Sequence, residues 1–472
     1  MLEDGGPGAD VAARPSIPQQ RGASRHRYVA QPSGARRGTV LRTALLAALA
    51  FLLLAPAGAI AFAAVRSERA TTTAAQGLAG AAGHDTAGRP NAKNGGTQAG
   101  APDATPGAKP TTLDGRIRQA LQDQAAALLA GDQDGFLRPV DPGAGGLRDD
   151  LTRRFGSLRQ LQIKVWQPTV EGRAKADSGG TASATVLIKY CFVAPACDPM
   201  SLEAPTKWKV AGAAVTLLEF GTSKDLGPRP WEVSELRTAV GDRVVMSTTA
   251  KYANRLPSML AAAEKAATLT DTFAHWGSPP ARYVVYLAGP DEWSSWYGIR
   301  QEAWVAGFAL PLTASATEIV LNAARVDTKQ TLDVLRHEFT HVVTLAGVEK
   351  AYDHTWWLVE GIAEYVRVKG SGKPFDGLGD VRTYVRSGHW KGDIALDDPP
   401  EGATTADVSG RYGVAYLSLQ HLADRFGEDR LLDFFDYAAR QGLALDDSAR
   451  KAFSMSWDDV ESDCARYVRG HV

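Results

Sequence analysis

Two spacings of apolar residues alternate along the chain. Between residues 117 and 128 apolar side chains recur every three or four positions, which predicts a helix that ends at Gly131. After residue 160 apolar and polar residues alternate, which is typical of strands. Strands are predicted at 161–166, 182–193, 207–210, 215–220 and 231–233. The segment 111–237 is therefore predicted to be an α+β domain in which helices precede an antiparallel sheet.

Helical spacing dominates the segment 238–472. Two short runs rich in β-branched and aromatic residues interrupt it and predict strands at 283–287 and 318–322. Helices are predicted at 252–275, 332–343, 355–366, 381–385, 412–423, 431–439 and 457–468. This segment is therefore predicted to be a mostly helical domain with a small β-sheet.

The longest uncharged apolar run covers the 23 residues 43–65. As a helix it would measure about 35 Å, enough to cross a bilayer. The segment 1–42 is basic and rich in Gly, Pro, Ala and Gln, which predicts a disordered cytoplasmic tail. The segment 66–110 has too few apolar side chains to bury a core and is predicted to be a disordered linker. The run therefore indicates a single-pass transmembrane anchor with the rest of the chain outside the cell.

Two other interpretations of the apolar run stay open. Pro56 interrupts the run, and a cleaved signal peptide would fit the small residues Ala-Ile-Ala or Ala-Phe-Ala near its end. Arg36 and Arg37 fit a twin-arginine export signal. The long segment ahead of the run favours the anchor.

The balance of charges limits the classes of partner, and the cysteines indicate the kind of compartment in which the protein works. Lys and Arg number 52 and Asp and Glu 53, so no overall field favours nucleic acid, and no nucleic-acid partner is expected. Cys191 and Cys197 lie close together at the end of a predicted strand, which in an exported domain indicates a disulfide. Two free buried thiols are the alternative. Cys464 is left over and is predicted to be a buried thiol.

Candidate chemistry begins at residues 336–341, which read Arg-His-Glu-Phe-Thr-His. His337 and His341 are four residues apart and lie on one face of a helix, where two imidazoles can bind one Zn²⁺. Glu338 would lie beside the open position of the metal and could take a proton from a bound water. A surface helix with two solvated histidines is the alternative.

The segment 355–366 argues against that alternative. A catalytic zinc ion needs three protein ligands and one open position. Glu360 follows His341 by 19 residues, which leaves room for a turn and an antiparallel second helix. Glu364, one helical turn later, can accept a hydrogen bond from the far nitrogen of a metal-bound histidine. The sequence therefore predicts zinc bound by His337, His341 and Glu360, with Glu338 as the general base.

The motif H-E-F-T-H followed by W-L-V-E-G-I-A-E-Y resembles the gluzincins, zinc peptidases of the thermolysin and membrane-alanyl-aminopeptidase type. The resemblance is specific over 337–366 and loosely covers 250–465. It implies the same ligands and the same base, and a sheet that precedes the zinc helix. No run of the type G-x-M-E-N, with which those aminopeptidases bind a free amino terminus, occurs upstream. The sequence therefore leaves endopeptidase and exopeptidase activity both open.

The gluzincin resemblance also implies a Tyr or His on a later helix that donates to the oxyanion of the transition state. Tyr412, 52 residues past Glu360 and at the start of a predicted helix, is the candidate. Tyr416, one turn later, competes for the role, and a packing role for Tyr412 is the alternative. Separately, the helices and curved sheet of 111–237 resemble the cone-shaped NTF2-like domains, which often have a pocket. No titratable cluster in this segment argues for catalysis, so a stalk or substrate-positioning module is expected.

Together these features predict an α+β fold with a transmembrane helix, an NTF2-like domain and a gluzincin-like peptidase domain. The expected function is that of a membrane-anchored zinc metallopeptidase whose catalytic domain is extracellular and acts on a peptide or protein substrate. Another zinc-dependent amidase of the cell envelope is one alternative. A non-catalytic binding protein on a peptidase scaffold is the other, and Glu338 argues against it because binding alone does not need that carboxylate.

Overall fold

The computed structural model describes residues 111–194, 197–298, 305–348, 355–400 and 403–472. The predicted cytoplasmic tail 1–42, apolar run 43–65 and linker 66–110 lie outside the described residues.

Three helices and a four-stranded sheet form the first part of the described chain. Helix α1 begins after Thr112, whose side chain accepts a hydrogen bond from the backbone of Gly115, and ends at Gly131, which has a φ of 79°. The helices are α1 (Leu113–Ala130), α2 (Gln133–Leu137) and α3 (Gly145–Gln160). The strands are β1 (Ile163–Ala176), β2 (Thr181–Phe192), β3 (Met200–Ala211) and β4 (Ala214–Phe220), each antiparallel to the next. The predicted order of helices followed by an antiparallel sheet agrees with the structure.

The strand predicted at 231–233 is wrong, because these residues lie in the short helix α4 (Pro230–Val233). Proline at the first helical position has a fixed φ that suits a helix start. The Glu232 carboxylate accepts hydrogen bonds from the backbone N–H groups of Arg229 (2.7 Å) and Ser223 (2.8 Å). These local hydrogen bonds favour the helical turn, and the alternation of apolar and polar residues that predicted a strand does not reveal them.

A second sheet carries the region that leads to the candidate site. Its strands are β5 (Leu236–Val240), β6 (Val244–Thr249), β7 (Tyr283–Ala288), β8 (Gly307–Pro311) and β9 (Thr317–Asn322), in the order β5-β6-β7-β9-β8. The pairs β6–β7 and β7–β9 are parallel, whereas β5–β6 and β8–β9 are antiparallel. Helix α5 (Leu256–Thr270) connects β6 to β7, and α6 (Pro290–Ser295) follows β7. Strand β8 therefore lies at the edge of this sheet.

In the part of the chain that the structure describes, seven helices follow the second sheet. They are α7 (Thr331–Thr344), α8 (Trp356–Ser371), α9 (Leu378–Arg386), α10 (Thr405–Phe426), α11 (Glu428–Phe435), α12 (Leu445–Phe453) and α13 (Trp457–Gly470), with a π-helical turn at Asp436–Arg440 after α11. Helix α8 packs against both α7 and α10.

Successive residues of the second sheet enter different apolar clusters, as the alternation of side chains along a strand requires. Val285 and Leu287 pack with helix α5 and helices α7 to α13, whereas Val284 and Tyr286 pack in a cluster that includes the first sheet and α1 to α3. The segments 111–237 and 238–472 thus share one apolar cluster and form one compact unit. The domain boundary between 237 and 238 stays a prediction.

The predicted fold class needs a correction. Among the described residues no helix combines the length and the apolar character that crossing a membrane requires. The longest of them, α10 with 22 residues, carries charged side chains at both of its ends. For the described residues the fold class is therefore corrected to α+β with mixed helices and sheets and no helix that could span a membrane, while the transmembrane helix predicted at 43–65 lies outside them.

The structure joins Cys191 and Cys197 in a disulfide that closes the loop after β2. Cys464 is a buried thiol on α13, and burial raises its pKa above the ordinary value. A neutral buried thiol is a poor nucleophile.

Candidate metal centre

Packing of one face of α7 fixes the orientation of the other face. Leu335 and Phe339 are fully buried, and the Phe339 ring stacks on Tyr283 of β7 at a centroid distance of 3.9 Å. Since residues four apart share a helix face, this packing directs His337 and His341 together toward α8.

Three donor atoms converge between α7 and α8. The Nε2 atoms of His337 and His341 are 3.0 Å apart, and Oε2 of Glu360 is 3.1 Å from the first and 3.5 Å from the second. All three residues are at most 5 % exposed. Tetrahedral zinc bonds of about 2.0–2.2 Å place ligand atoms roughly 3.3–3.6 Å apart. The distance between His341 and Glu360 lies in this range, and the other two are shorter by about 0.2–0.3 Å, so a small outward movement of His337 would let the two imidazoles and the carboxylate bind a zinc ion with one coordination position open.

Charge at this site favours a cation. Burial lowers the pKa of His337, but the carboxylates of Glu360 and Glu364 outweigh burial and raise the pKa to about 9. Burial raises the pKa of Glu360, yet His341 and His337 lower it to about 2. The site is therefore a buried, anionic environment in which a proton or a metal ion is stabilised.

Glu364 lies where the sequence places it, one turn after Glu360 on α8. Its Oε1 atom accepts a hydrogen bond from Nδ1 of His337 at 3.0 Å. Arg367, three residues further on, donates to both oxygens of Glu364. Sequence reasoning missed Arg367, although the spacing of three residues on one helix was the signal that could have found it.

Glu338 lies beside the edge strand β8 and is 1 % exposed. Burial raises its pKa to about 8, with Glu360 adding to the rise and His337 and a backbone hydrogen bond from Ala309 opposing it. A Cβ atom at Gly307 would lie 3.2 Å from Oε1 of Glu338, so glycine leaves room for this carboxylate. A carboxyl group with a pKa near neutrality suits a residue that takes up and returns a proton.

The structure brings Tyr412, and not Tyr416, next to His337, one of the three donor residues. The Tyr412 ring lies 6.2 Å from the His337 ring and 5.1 Å from Trp356, between centroids. Tyr416 stacks on Phe375 at 4.3 Å and donates its hydroxyl to Gln420.

The predicted helix start at Tyr412 is wrong, because α10 begins at Thr405. The Thr404 side chain accepts a hydrogen bond from the Asp407 backbone and caps the helix seven residues earlier than expected. Tyr412 therefore projects from the second turn of α10.

Sequence reasoning also missed Asp398, which lies in the loop between α9 and α10. Both of its carboxylate oxygens are buried without a hydrogen-bond partner among the described residues. Burial, together with the charge of Glu360, raises its pKa to about 9, while Arg411 lowers it. No local sequence pattern identifies such a residue, because its surroundings come from other elements.

Comparison with known proteins gives one match by sequence. Residues 308–377 match the model of the family described as "Peptidase of plants and bacteria". These residues include β9 and the two helices α7 and α8 that carry the donor atoms. No curated protein matches the chain.

Several solved structures are distantly similar. Native yeast LTA4 hydrolase is 11% identical over 64% of this chain and 66% of its own, with a TM-score of 0.33. The M1 zinc metallopeptidase from Deinococcus radiodurans is 13% identical over 65% of each chain, with a TM-score of 0.29. The complex of yeast LTA4 hydrolase with bestatin is 12% identical over 64% of this chain and 59% of its own, with a TM-score of 0.33.

The chain thus spans at most 66% of the length of these solved chains. At such TM-scores the similarity assigns neither a fold nor an activity. The comparisons do not show the predicted likeness of 111–237 to NTF2-like domains.

Proposed function

We propose that this chain is a zinc-dependent peptidase that acts on a peptide or protein substrate. The convergence of His337, His341 and Glu360, with Glu338 beside them, is the observation that carries the proposal. The match of residues 308–377 to a peptidase family supports it.

His337, His341 and Glu360 would hold the zinc ion. When bound, zinc supplies Lewis-acid polarisation of a carbonyl group and makes a water molecule more acidic. The remaining chemistry belongs to the side chains of the protein. Glu338, whose Oε1 has no hydrogen-bond partner among the described residues, would take the proton of the attacking water and pass it to the leaving amine.

Strand β8 and Tyr412 would orient the substrate and stabilise its charge. Because β8 is the edge strand of its sheet, an extended peptide can pair with its outer backbone groups. Ala309 of this strand also donates to Glu338, so a peptide on β8 would pass close to the base. Tyr412, next to His337, would donate its hydroxyl to the oxyanion that forms on the scissile carbonyl.

We also propose that the protein works in an oxidising compartment outside the cytoplasm. The disulfide between Cys191 and Cys197 supports this location, since disulfides persist in such compartments and are rare in the cytosol.

A digest of a peptide library with the purified full chain tests the proposed activity. We expect cleavage that stops when a chelator removes the metal and returns when zinc is added back. Cleavage that persists in metal-free protein would contradict the zinc mechanism. A zinc-loaded protein that cleaves no peptide would contradict peptidase activity.

Tyr412→Phe is expected to lower kcat by about 10²–10³-fold, because an oxyanion donor acts mainly in the transition state. KM and zinc content should change little. Tyr416→Phe is the matched control, since it removes a hydroxyl on the same helix that bonds to Gln420. Steady-state kinetics and metal analysis of both variants decide the assignment. If Tyr412→Phe kept the kcat of the parent, the oxyanion donor would have to be another residue.

A further inference from the structure

We propose that Arg367 is a positioning residue, which orients His337 toward the metal through Glu364. This inference rests on the proposed zinc site and extends it to a residue that is not one of the three metal donors.

Arg367, Glu364 and His337 form a continuous buried chain of hydrogen bonds. Nε of Arg367 lies 3.1 and 3.0 Å from the two carboxylate oxygens of Glu364, and Nη2 lies 2.8 Å from Oε2. Oε1 of Glu364 lies 3.0 Å from Nδ1 of His337. The three side chains are 5%, 4% and 0% exposed. Water therefore has little access to these groups and does not readily replace the hydrogen bonds between them.

The guanidinium group determines what Glu364 can do. A planar donor that bonds to both oxygens of a carboxylate fixes the orientation of that carboxylate as well as its charge. An ionised carboxylate can only accept, so Nδ1 of a neutral His337 must carry the proton. Nε2 then keeps its lone pair directed at the position between His341 and Glu360, as a metal ligand requires.

Helix α8 places these groups in a row. Glu360, Glu364 and Arg367 are separated by four and three residues, so they lie on one face of the helix. The Nη2 atom that bonds to Glu364 also lies 3.3 Å from Oδ1 of Asp376, and the Phe375 ring centroid lies 6.0 Å from the guanidinium carbon. Two carboxylates therefore hold Arg367, and a lysine at this position would keep the charge but lose the paired bonds.

Zinc affinity, measured by competition with a chelator, tests the inference without using catalysis. We expect Arg367→Gln to bind zinc about 10–100-fold more weakly, the range seen when a group supporting a metal-bound histidine is removed. Arg367→Lys should recover part of this loss. The visible spectrum of the cobalt-substituted protein should shift in Arg367→Gln, since it reports on the orientation of the ligands.

Arg440→Gln is the matched control for a loss of stability. Arg440 is also mostly buried and donates to the carbonyl groups of Thr344 (2.6 Å) and Ala346 (3.0 Å) at the end of α7, but makes no contact with Glu364. We expect its zinc affinity and cobalt spectrum to match the parent even where Tm falls. If Arg367→Gln and Arg440→Gln showed the same decrease in Tm and the same loss of zinc affinity, Arg367 would have only a structural role.

A double-mutant cycle shows whether Arg367 acts through Glu364. Because the proposed effect needs both residues, Glu364→Gln combined with Arg367→Gln should bind zinc no more weakly than Glu364→Gln alone. Independent, additive losses would overturn the inference, as would parental affinity in Arg367→Gln. Failure of the parent itself to bind zinc would instead refute the proposed function.

Discussion

Glu338→Gln is expected to lower kcat by about 10²–10⁴-fold while the protein keeps its zinc, since proton transfer by a positioned side chain contributes that factor. Glutamine has nearly the same shape and can still accept the hydrogen bond from Ala309, but it cannot take up a proton. Glu338 does not belong to the group of three donor atoms, so its replacement leaves the metal ligands in place.

The raised pKa of Glu338 strengthens this expectation. Burial holds the pKa at about 8, so the carboxyl group binds a proton more readily than an exposed glutamate does. Once ionised, such a base takes a proton from water more readily than an exposed carboxylate does and can return it to the leaving amine. The amide in the variant removes both steps at once.

Kinetics and elemental analysis of the same preparation provide the measurement. Glu264→Gln is the matched control, because Glu264 also accepts hydrogen bonds from backbone N–H groups but lies on α5, outside the donor group. Its kcat should equal that of the parent. A Glu338→Gln protein without zinc would mean that Glu338 is needed for metal binding, and one with parental kcat would mean that another residue is the base.

Glu360→Ala is expected to lose zinc and, with it, activity. The substitution removes the carboxylate that lies 3.1 Å from Nε2 of His337 and 3.5 Å from Nε2 of His341. Two imidazoles without a third protein ligand form an incomplete zinc site. The variant also removes a buried negative charge that raises the pKa of His337. That pKa should fall, so the loss of metal does not result from protonation of His337.

Zinc content per chain after dialysis against a mild chelator measures this loss. Glu428→Ala is the control. Glu428 accepts a hydrogen bond from Tyr365, which lies on α8 as Glu360 does, but Glu428 is partly exposed and is not one of the three donor residues. It should retain the zinc content of the parent. Full zinc occupancy in Glu360→Ala would show that the third ligand is a different residue.

Local periodicity explains why so much of the candidate site follows from the sequence. The backbone geometry of a helix places His337 beside His341, and likewise Glu360 beside Glu364, wherever the helices lie. The same reasoning located α7, α8 and the strands β7 and β9, whose apolar patterns are regular. The fold class had to be corrected because none of the described helices can cross a membrane, and the apolar run 43–65 lies outside the described residues.

Contacts between different helices and strands could not be predicted from local periodicity. The distance of 3.1 Å between His337 and Glu360 depends on how α7 packs against α8, and the choice of Tyr412 over Tyr416 depends on where α10 begins and which side chains it meets. Arg367 becomes important only once Glu364 is turned toward His337. The sequence by itself therefore determined which residues share a helix face, because that depends on backbone geometry alone. Tertiary structure decided which faces meet, because that depends on the packing of side chains distant in sequence.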